Sequence, residues 1–222
     1  MNQDTWSRVD HYFCDALLPD DPVLTAALAD SDAAGLPSHH VAPNQGQLLH
    51  LFARMQGAKK ILEIGTLAGY STIWLARALP EGGQVVSLEA NPRNAEVARI
   101  NIERAGLSHL VDVRVGRAID TLPLLADEGL APFDLVFIDA DKPSNPQYLD
   151  WSLKLARKGT VIIGDNVVRN GEVANPHSED ANVQGVRRFF ELMAANPRLR
   201  ATAIQTVGSK GYDGFSLAIV EG

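Results

Sequence analysis

Acidic and amide side chains follow two apolar segments of the sequence. Asp139 ends the run FDLVFID (133–139), and Asp165 ends the run TVIIGD (160–165), with Asn166 directly after it. If these runs are neighbouring strands of a parallel sheet, their carboxyl ends meet at one edge and the three side chains converge. Two carboxylates and an amide suit a hard divalent cation such as Mg²⁺. The alternative is a pair of isolated helix caps, but two carboxylates that close repel unless a cation or a proton lies between them.

A lysine lies just beyond the first of these acids. Lys142 follows Asp139 by three residues. A lysine beside a divalent cation has its pKa lowered and can accept a proton as a general base. A surface lysine without a chemical role is the commoner situation, so this interpretation depends on the predicted metal site.

Small residues dominate the segment after the first apolar run, GTLAGYS (65–71). Such residues at a turn from strand to helix let a ligand approach the backbone and leave helix N–H groups free to bind it. The pattern lacks the central glycine of G-x-G-x-x-G, which favours a nucleoside without a diphosphate over NAD or FAD. Two glycines at a plain turn are the alternative interpretation.

Two further segments extend this predicted nucleoside site. Glu89 ends the second apolar run, where a carboxylate can accept hydrogen bonds from both hydroxyls of a ribose. A solvated acid at a helix N-terminus is the other possibility. After the third run, Gly116 and Ala118 are small enough to expose backbone to an adenine edge, although a plain turn explains them almost as well.

The chemistry-bearing residues need a sheet to bring them together, and the chain from about residue 58 predicts one. Apolar runs alternate with stretches of helical period, which is typical of βαβ units and a parallel sheet. The runs are apolar on both faces, as expected of strands covered by helices on both sides. The predicted strands are 59–65, 84–89, 111–115, 133–139 and 160–165, and the predicted helices between them are 71–79, 92–106, 118–125 and 148–159.

The flanking segments have a different character. Residues 1–50 predict helices that cap a catalytic core spanning 58–222, and we interpret 1–222 as a single domain. A polar loop is expected at 166–182, and a helix follows it. Two final strands, 199–207 and 214–220, are expected to be joined by a hairpin loop over 208–213.

Composition and charge narrow the class of protein. The 222 residues include 20 Lys and Arg against 27 Asp and Glu, which argues against a general nucleic-acid-binding protein. The single cysteine, Cys14, excludes an internal disulfide and any site of several thiolates. The sequence shows no signal-peptide pattern and no apolar run near the ~20 residues that span a bilayer. We therefore expect a soluble, cytoplasmic α/β protein.

Four motifs taken together resemble the cation-dependent O-methyltransferase family. They are ILEIGTLAGYST (61–72), VVSLEAN (85–91), DLVFIDADK (134–142) and IIGDNVVRNG (162–171). This family includes catechol and caffeoyl-coenzyme A O-methyltransferases and uses S-adenosylmethionine. The resemblance runs from about residue 38 to the C-terminus. It implies a Rossmann-like class I methyltransferase fold, in which helices cover both faces of a seven-stranded, mostly parallel sheet with an antiparallel last strand.

The resemblance also implies catalytic and metal-binding roles. Asp139, Asp165 and Asn166 match the ligands of Mg²⁺ or another divalent cation. Lys142 matches the catalytic lysine that takes the hydroxyl proton, with Asp139 beside it in the catalytic centre.

Cofactor contacts are implied residue by residue. Glu89 matches the acid that binds the ribose, and Glu63 matches the acid of the first motif, for which a helper role inside the strand is equally open. The remaining implied contacts are Val41, Gly65 and Ser71 toward the methionine end, Ala90, Gly116, Ala118 and Ala140 around the adenine, and Thr66, Gly69 and Asp139 elsewhere on the cofactor.

The function implied is metal-assisted methyl transfer to a vicinal-dihydroxy, catechol-like small molecule or a coenzyme A ester. A homodimer is implied by the resemblance alone. Two alternatives stay open at this point: an NAD-dependent oxidoreductase on the same sheet, and a non-catalytic protein that binds S-adenosylmethionine. The segments expected to face the acceptor, 39–40, 169–182 and 208–212, match no substrate-specific pattern.

Overall fold

Seven strands form one sheet in the computed structural model, which describes residues 2–222. The strand order is β3-β2-β1-β4-β5-β7-β6. Strands β1 to β5 pair in parallel, and β7 runs antiparallel to both of its neighbours. The expected α/β architecture with an antiparallel last strand is confirmed. The strands are β1 (Lys60–Ile64), β2 (Gln84–Glu89), β3 (Val111–Val115), β4 (Phe133–Ile138), β5 (Ala156–Asp165), β6 (Leu199–Gly208) and β7 (Gly211–Val220).

In residues 2–222, eight α-helices surround the sheet, and several begin at residues suited to that position. Asp21 and Asn91 accept hydrogen bonds from the first backbone N–H groups of their helices, and a proline follows each of them. The helices are α1 (Gln3–Leu17), α2 (Pro22–Ala33), α3 (Pro43–Gln56), α4 (Tyr70–Ala76), α5 (Pro92–Arg104), α6 (Ala118–Asp127), α7 (Asn145–Lys154) and α8 (Ala181–Ala195). None of these helices is both long and apolar enough to cross a membrane.

Alternate strand residues enter two apolar cores, one on each face of the sheet. In β1, Ile61 packs in the core formed with α2 to α5, whereas Leu62 packs in the core formed with α6 to α8. In β4, Leu135 and Val136 divide in the same way. This alternation follows from the two-residue period of a strand and explains why both faces of each central strand are apolar.

The strand order reverses between β1 and β4. From β1 the sheet continues through β2 to β3 on one side, and from β4 it continues through β5 on the other. The connecting helices therefore leave a crevice above the carboxyl ends of these strands, where ligands of open α/β sheets bind.

Two predicted boundaries were wrong. The helix predicted over 148–159 ends at Lys154, and residues 156–159 instead begin β5. Asp134 of β4 binds the Arg157 side chain, and the pairing of β4 with β5 is irregular at this point, so a tertiary contact overrides the helical pattern. The hairpin loop was predicted over 208–213 but contains only Ser209 and Lys210, because β6 and β7 extend farther than their apolar residues indicate. The predicted loop at 166–182 contains a short 3₁₀ segment, Arg169–Ala174.

Candidate active site

A cavity of about 750 Å³ opens at the reversal of strand order, above the carboxyl ends of β1, β2, β4 and β5. It falls within the usual range for a small-molecule site. Most of the predicted site residues line it, namely Val41, Gly65, Thr66, Ser71, Glu89, Ala90, Ala118, Asp139, Ala140, Lys142, Asp165 and Asn166. Glu63, Gly69 and Gly116 do not line it.

The predicted metal ligands lie at the ends of β4 and β5. Asp165 is almost fully buried, and its two oxygens accept hydrogen bonds from Gln45 Nε2 and the backbone N–H of Asn166, each at 2.8 Å. Burial and the charge of Asp139 raise the pKa of Asp165 to about 7. Asn166 adopts a left-handed φ of 51°, a conformation that asparagine tolerates well. A buried carboxylate that is destabilised by a neighbouring negative charge favours a bound cation.

The chemistry of these donors fits a hard cation. Among residues 2–222, no three His, Cys, Asp or Glu side chains lie close enough to hold a metal ion. The predicted set consists of two carboxylates and one amide, so it offers oxygen ligands alone. Mg²⁺ commonly binds one or two protein carboxylates and keeps its other positions for water or substrate.

Lys142 extends into the same cavity from a 3₁₀ turn, Lys142–Ser144. Its residue exposure is 5%, and its Nζ lies 3.2 Å from Asp139 Oδ1. Helix α8 packs tightly on this turn: a Cβ at Gly185 would lie 2.2 Å from the Lys142 carbonyl oxygen. Close packing therefore fixes the backbone from which this lysine extends.

Gly65 allows the end of β1 to approach the end of β4. Its φ is +104°, and a Cβ at this position would lie 2.1 Å from the carbonyl oxygen of Asp139. Only glycine has both the required backbone freedom and the absence of a side chain here. The approach places the glycine-containing turn beside the predicted metal ligand.

Glu89 connects the tip of β2 to this turn. Its Oε2 accepts a hydrogen bond from the backbone N–H of Leu67 at 2.8 Å, and its Oε1 accepts one from that of Asn91 at 2.9 Å. The residue is buried and lines the cavity. It is therefore not the solvated acid of the alternative interpretation, and its fixed carboxylate suits ribose hydroxyls.

Glu63 lies beneath the turn rather than in the cavity. Its carboxylate is fully buried and accepts hydrogen bonds from the hydroxyls of Ser71, Thr72 and Ser87, at 2.5 to 2.6 Å. Burial raises its pKa to about 7. Because Ser71 lines the cavity, this arrangement corresponds to the helper role considered for Glu63.

Gly69 and Gly116 have conformational roles next to the cavity. Gly69 precedes α4 with a φ of +82°, and Gly116 follows β3 with a φ of +148°. Both backbones occupy regions that side chains disfavour.

Several cavity residues carried no recognisable signal in the sequence. Gln45 contacts Asp165 although it lies within an ordinary amphipathic helix. Asp10 is the one buried residue of α1 and accepts hydrogen bonds from Asn44 Nδ2 and the Ser209 backbone N–H. Arg169 also lines the cavity, within the segment predicted as a polar loop.

The sheet order, the antiparallel β7 and a cavity bounded by a glycine turn and an acid at the tip of β2 define a class I methyltransferase fold. A family model described as O-methyltransferase matches residues 20–218. The chain belongs to this O-methyltransferase family. The expected family and enzyme class are therefore confirmed, and the oxidoreductase alternative is set aside.

Similar proteins agree with this assignment. A catechol O-methyltransferase of Niastella koreensis is 51% identical over 221 residues, covering 100% of both chains. An O-methyltransferase from Bacillus cereus, solved in complex with SAH (S-adenosylhomocysteine), is 58% identical, with a TM-score of 0.98 over 99% of this chain and 100% of that one. TomG of Streptomyces achromogenes, involved in tomaymycin synthesis and solved with SAM (S-adenosylmethionine), is 51% identical, with a TM-score of 0.97 over 100% of both chains.

Proposed function

We propose that this O-methyltransferase transfers a methyl group from S-adenosylmethionine to one hydroxyl of a vicinal-dihydroxy aromatic small molecule, with the aid of a divalent cation. One observation carries the proposal: Lys142 Nζ lies 3.2 Å from Asp139 Oδ1, at the edge of the sheet where the buried Asp165 also lies. The catechol O-methyltransferase relative and the SAH and SAM of the solved relatives support it.

The donor side is formed by the first two strand tips. S-adenosylmethionine supplies an electrophilic methyl group on a sulfonium, which the acceptor oxygen attacks. Glu89 would accept hydrogen bonds from its ribose hydroxyls, and Ser71 and Val41 would bind its methionine end. The small side chains of Ala90, Ala118 and Ala140 leave a flat surface for the adenine ring. These residues hold the donor in place, which matters because methyl transfer depends on the alignment of the reacting atoms.

The acceptor side is formed by the tips of β4 and β5. Asp139, Asp165 and Asn166 would hold Mg²⁺ or another divalent cation, which lowers the pKa of a coordinated hydroxyl. Lys142 Nζ would receive the hydroxyl proton, and Asp139 orients that nitrogen through their contact. Gln45 holds Asp165 in place through its hydrogen bond to Oδ2.

Apolar side chains exposed on the surface support the proposal of a homodimer. Tyr12 and Leu17 on α1 and Met55 on α3 are each more than two-thirds exposed, at 68%, 76% and 72%. Burial of such side chains against a second copy is favourable. Light scattering after size exclusion tests this, and a monomer at micromolar concentration would contradict it. We further propose a cytoplasmic location and a small-molecule acceptor, without a nucleic-acid or membrane partner.

The decisive experiment combines purified protein, labelled S-adenosylmethionine and a panel of acceptors. The panel contains vicinal diphenols, coenzyme A esters of dihydroxycinnamic acids, and matched monophenols. We expect transfer to the vicinal diphenols, loss of that transfer in excess EDTA, and recovery with Mg²⁺. Full turnover in EDTA would contradict the metal role, and equal turnover of monophenols would contradict the vicinal-dihydroxy class. Donor binding by calorimetry without turnover of any acceptor in the panel would contradict the proposed acceptor class.

A further inference from the structure

Arg169 occupies an unusual position in the cavity wall. It lies three residues beyond Asn166, and its φ of 55° is left-handed, as is that of Asn170. Two successive non-glycine residues in this region are uncommon and need support from their surroundings. Asp213 Oδ1 provides that support by accepting hydrogen bonds from the backbone N–H groups of Val168 and Arg169, at 2.8 and 3.1 Å. The position of Arg169 is thus fixed by side-chain contact from β7.

The guanidinium of Arg169 donates no hydrogen bond to any of residues 2–222. Its Nε is buried without a hydrogen-bond partner, and no carboxylate within residues 2–222 lies within 4.0 Å to form an ion pair with it. The exposed Asp180 is close enough for Arg169 to contribute to its lowered pKa, although backbone N–H donation from Asn182 is the largest cause. Buried donors in native proteins almost always have partners, so this one indicates an acceptor that arrives with a ligand.

A second cation lies on the same wall. Lys210 forms part of the β6–β7 turn, lines the cavity, and donates hydrogen bonds only to the carbonyl and hydroxyl oxygens of Ser38, at 2.8 and 3.1 Å. Both of these acceptors are neutral. The turn and the Arg169 segment adjoin, because a Cβ at Gly171 would lie 3.6 Å from the ring of Tyr212. Asp32 is near enough to interact with the charge of Lys210. Within residues 2–222, however, neither Lys210 nor Arg169 has a carboxylate oxygen within 4.0 Å, and both face one cavity.

Two acids that line this cavity accept hydrogen bonds from neutral donors instead of pairing with these cations. Asp141 accepts hydrogen bonds from Ser144 and Tyr148, and Asp10 accepts them from Asn44 and Ser209. Neither acid is paired with Arg169 or Lys210 within the part of the chain that the structure describes. Glu89, Asp139 and Asp165 lie at the strand tips of the proposed donor and metal sites, and Asp213 accepts hydrogen bonds from the backbone beside Arg169. Arg169 and Lys210 are therefore not neutralised by an ion pair within residues 2–222 and can bind an incoming anion.

We propose that Arg169, with Lys210 beside it, binds a carboxylate on the methyl acceptor, so that the preferred acceptors are vicinal-dihydroxy aromatic acids. The inference rests on the proposed function and narrows its substrate class. A guanidinium matches a carboxylate because its planar fork donates two parallel hydrogen bonds. Arg169 is then a specificity-determining residue, and Asp213 is the residue that positions it.

A matched pair of acceptors tests the proposal. 3,4-Dihydroxybenzoate and 3,4-dihydroxybenzamide share a shape and both hydroxyls but differ in charge. We expect the wild type to prefer the acid in kcat/KM, and Arg169→Gln to reduce the acid-to-amide ratio by roughly 10- to 100-fold, as expected for a lost charge-assisted pair. The loss should lie mainly in KM, Arg169→Lys should restore part of it, and added salt should weaken the preference.

Controls separate this outcome from a general defect. Arg188→Gln removes an exposed arginine of α8, bonded to Glu191, and should leave the ratio unchanged. Melting temperature and S-adenosylhomocysteine affinity report whether each variant folds. Equal wild-type efficiency on acid and amide, or an equal loss of both in Arg169→Gln, would overturn the proposal. A loss confined to the coenzyme A ester would overturn it in favour of a phosphate-binding role.

Failure of the proposed function has a different signature. If the protein binds S-adenosylhomocysteine but methylates neither acceptor, the acceptor chemistry is wrong, whatever the role of Arg169. Calorimetric titration with the acid and the amide then still tests whether Arg169 and Lys210 bind a carboxylate, because this measurement needs no turnover. Stronger binding of the acid that is lost in Arg169→Gln supports the proposal, and equal binding contradicts it.

Discussion

Lys142 Nζ lies 3.2 Å from Asp139 Oδ1, and both side chains face the cavity at the reversal of strand order. The lysine side chain is 6% exposed and the aspartate side chain 19% exposed. In the proposed reaction Asp139 therefore has two contacts: it binds the cation at the sheet edge, and it orients the lysine that takes the proton. In the proposed reaction Lys142 accepts the proton as the neutral amine, and Asp139 holds that nitrogen in place by accepting its hydrogen bond.

Removal of the amine should separate catalysis from binding. We expect Lys142→Ala to lower kcat by roughly 10²- to 10⁴-fold, the usual contribution of a general base. The affinity for S-adenosylhomocysteine should change far less, because Lys142 is not among the proposed donor contacts. Initial rates and calorimetry on the same preparations check both expectations.

The matched control for this variant is Lys154→Ala on α7. Lys154 is 53% exposed and contacts only Asp150 and the Trp151 ring of its own helix within residues 2–222, so its loss should leave kcat within about twofold of the wild type, as for most surface substitutions. Normal turnover in Lys142→Ala would eliminate its role as the base.

Substitution of Asp165 should abolish metal binding but raise the stability of the metal-free fold. Its pKa is raised to about 7 by burial and by the charge of Asp139, so the charged form destabilises the metal-free fold. The stabilisation from the protonated form is present at low pH and is lost as the pH rises toward 7. At pH 8 in EDTA, we expect Asp165→Asn to melt at a higher temperature than the wild type.

Mg²⁺ should reverse that order. The cation should raise the melting temperature of the wild type and leave Asp165→Asn unchanged, because a ligand stabilises only a fold that binds it. Asp150→Asn, an exposed substitution on α7, is the control and should respond to Mg²⁺ like the wild type. An equal Mg²⁺ response in Asp165→Asn would remove this residue from the ligand set.

Glu63 should make stability depend on pH in a second way. Its pKa is raised from the usual 4.5 to about 7 in the fold, chiefly by complete burial. As the pH rises from 4.5 to 7, the unfolded chain releases this proton first, so the free energy of unfolding falls, by up to about 3 kcal/mol. Glu63→Gln does not titrate and should lack this decrease.

Urea denaturation at pH 5 and pH 8 measures the difference. Subtracting the variant from the wild type removes the contributions of other titrating groups, Asp165 included, which are common to both. The difference should be larger at pH 5 than at pH 8. A difference that is the same at both values would show that Glu63 has an ordinary pKa in the fold.

The sequence predicted the strands best where apolar runs stop abruptly. The predicted ranges 84–89 and 111–115 coincide with β2 and β3, and a glycine adjoins each of them, Gly83 before β2 and Gly116 after β3. The prediction failed at 156–159, where the helical pattern continues but Asp134 binds Arg157 and draws the chain into β5. Such a contact depends on which strands are neighbours, and local periodicity carries no information about it.

The same distinction applies to the site. Asp139 and Asp165 were predicted to converge because both end apolar strands, and the order of a parallel sheet brings such ends to one edge. The hydrogen bond from Gln45 to Asp165 joins residues 120 positions apart, from a helix whose pattern indicates packing alone. The unpaired guanidinium of Arg169 could not be predicted from the sequence either, because it depends on which residues lie near it in the folded chain.

Gly65 offers a test of how closely the turn must approach Asp139. A Cβ there would lie 2.1 Å from the Asp139 carbonyl oxygen, which is backbone and cannot rotate away. We expect Gly65→Ala to separate the ends of β1 and β4 and to weaken S-adenosylhomocysteine binding at least tenfold, with a lower melting temperature. Gly106→Ala is the matched control, because Gly106 also has a positive φ, +73°, but open space around its Cβ position. Its cost should be limited to backbone strain of about 1 kcal/mol, with cofactor affinity retained. If both variants bound the cofactor equally well, the close approach at Gly65 would have no part in forming the donor site.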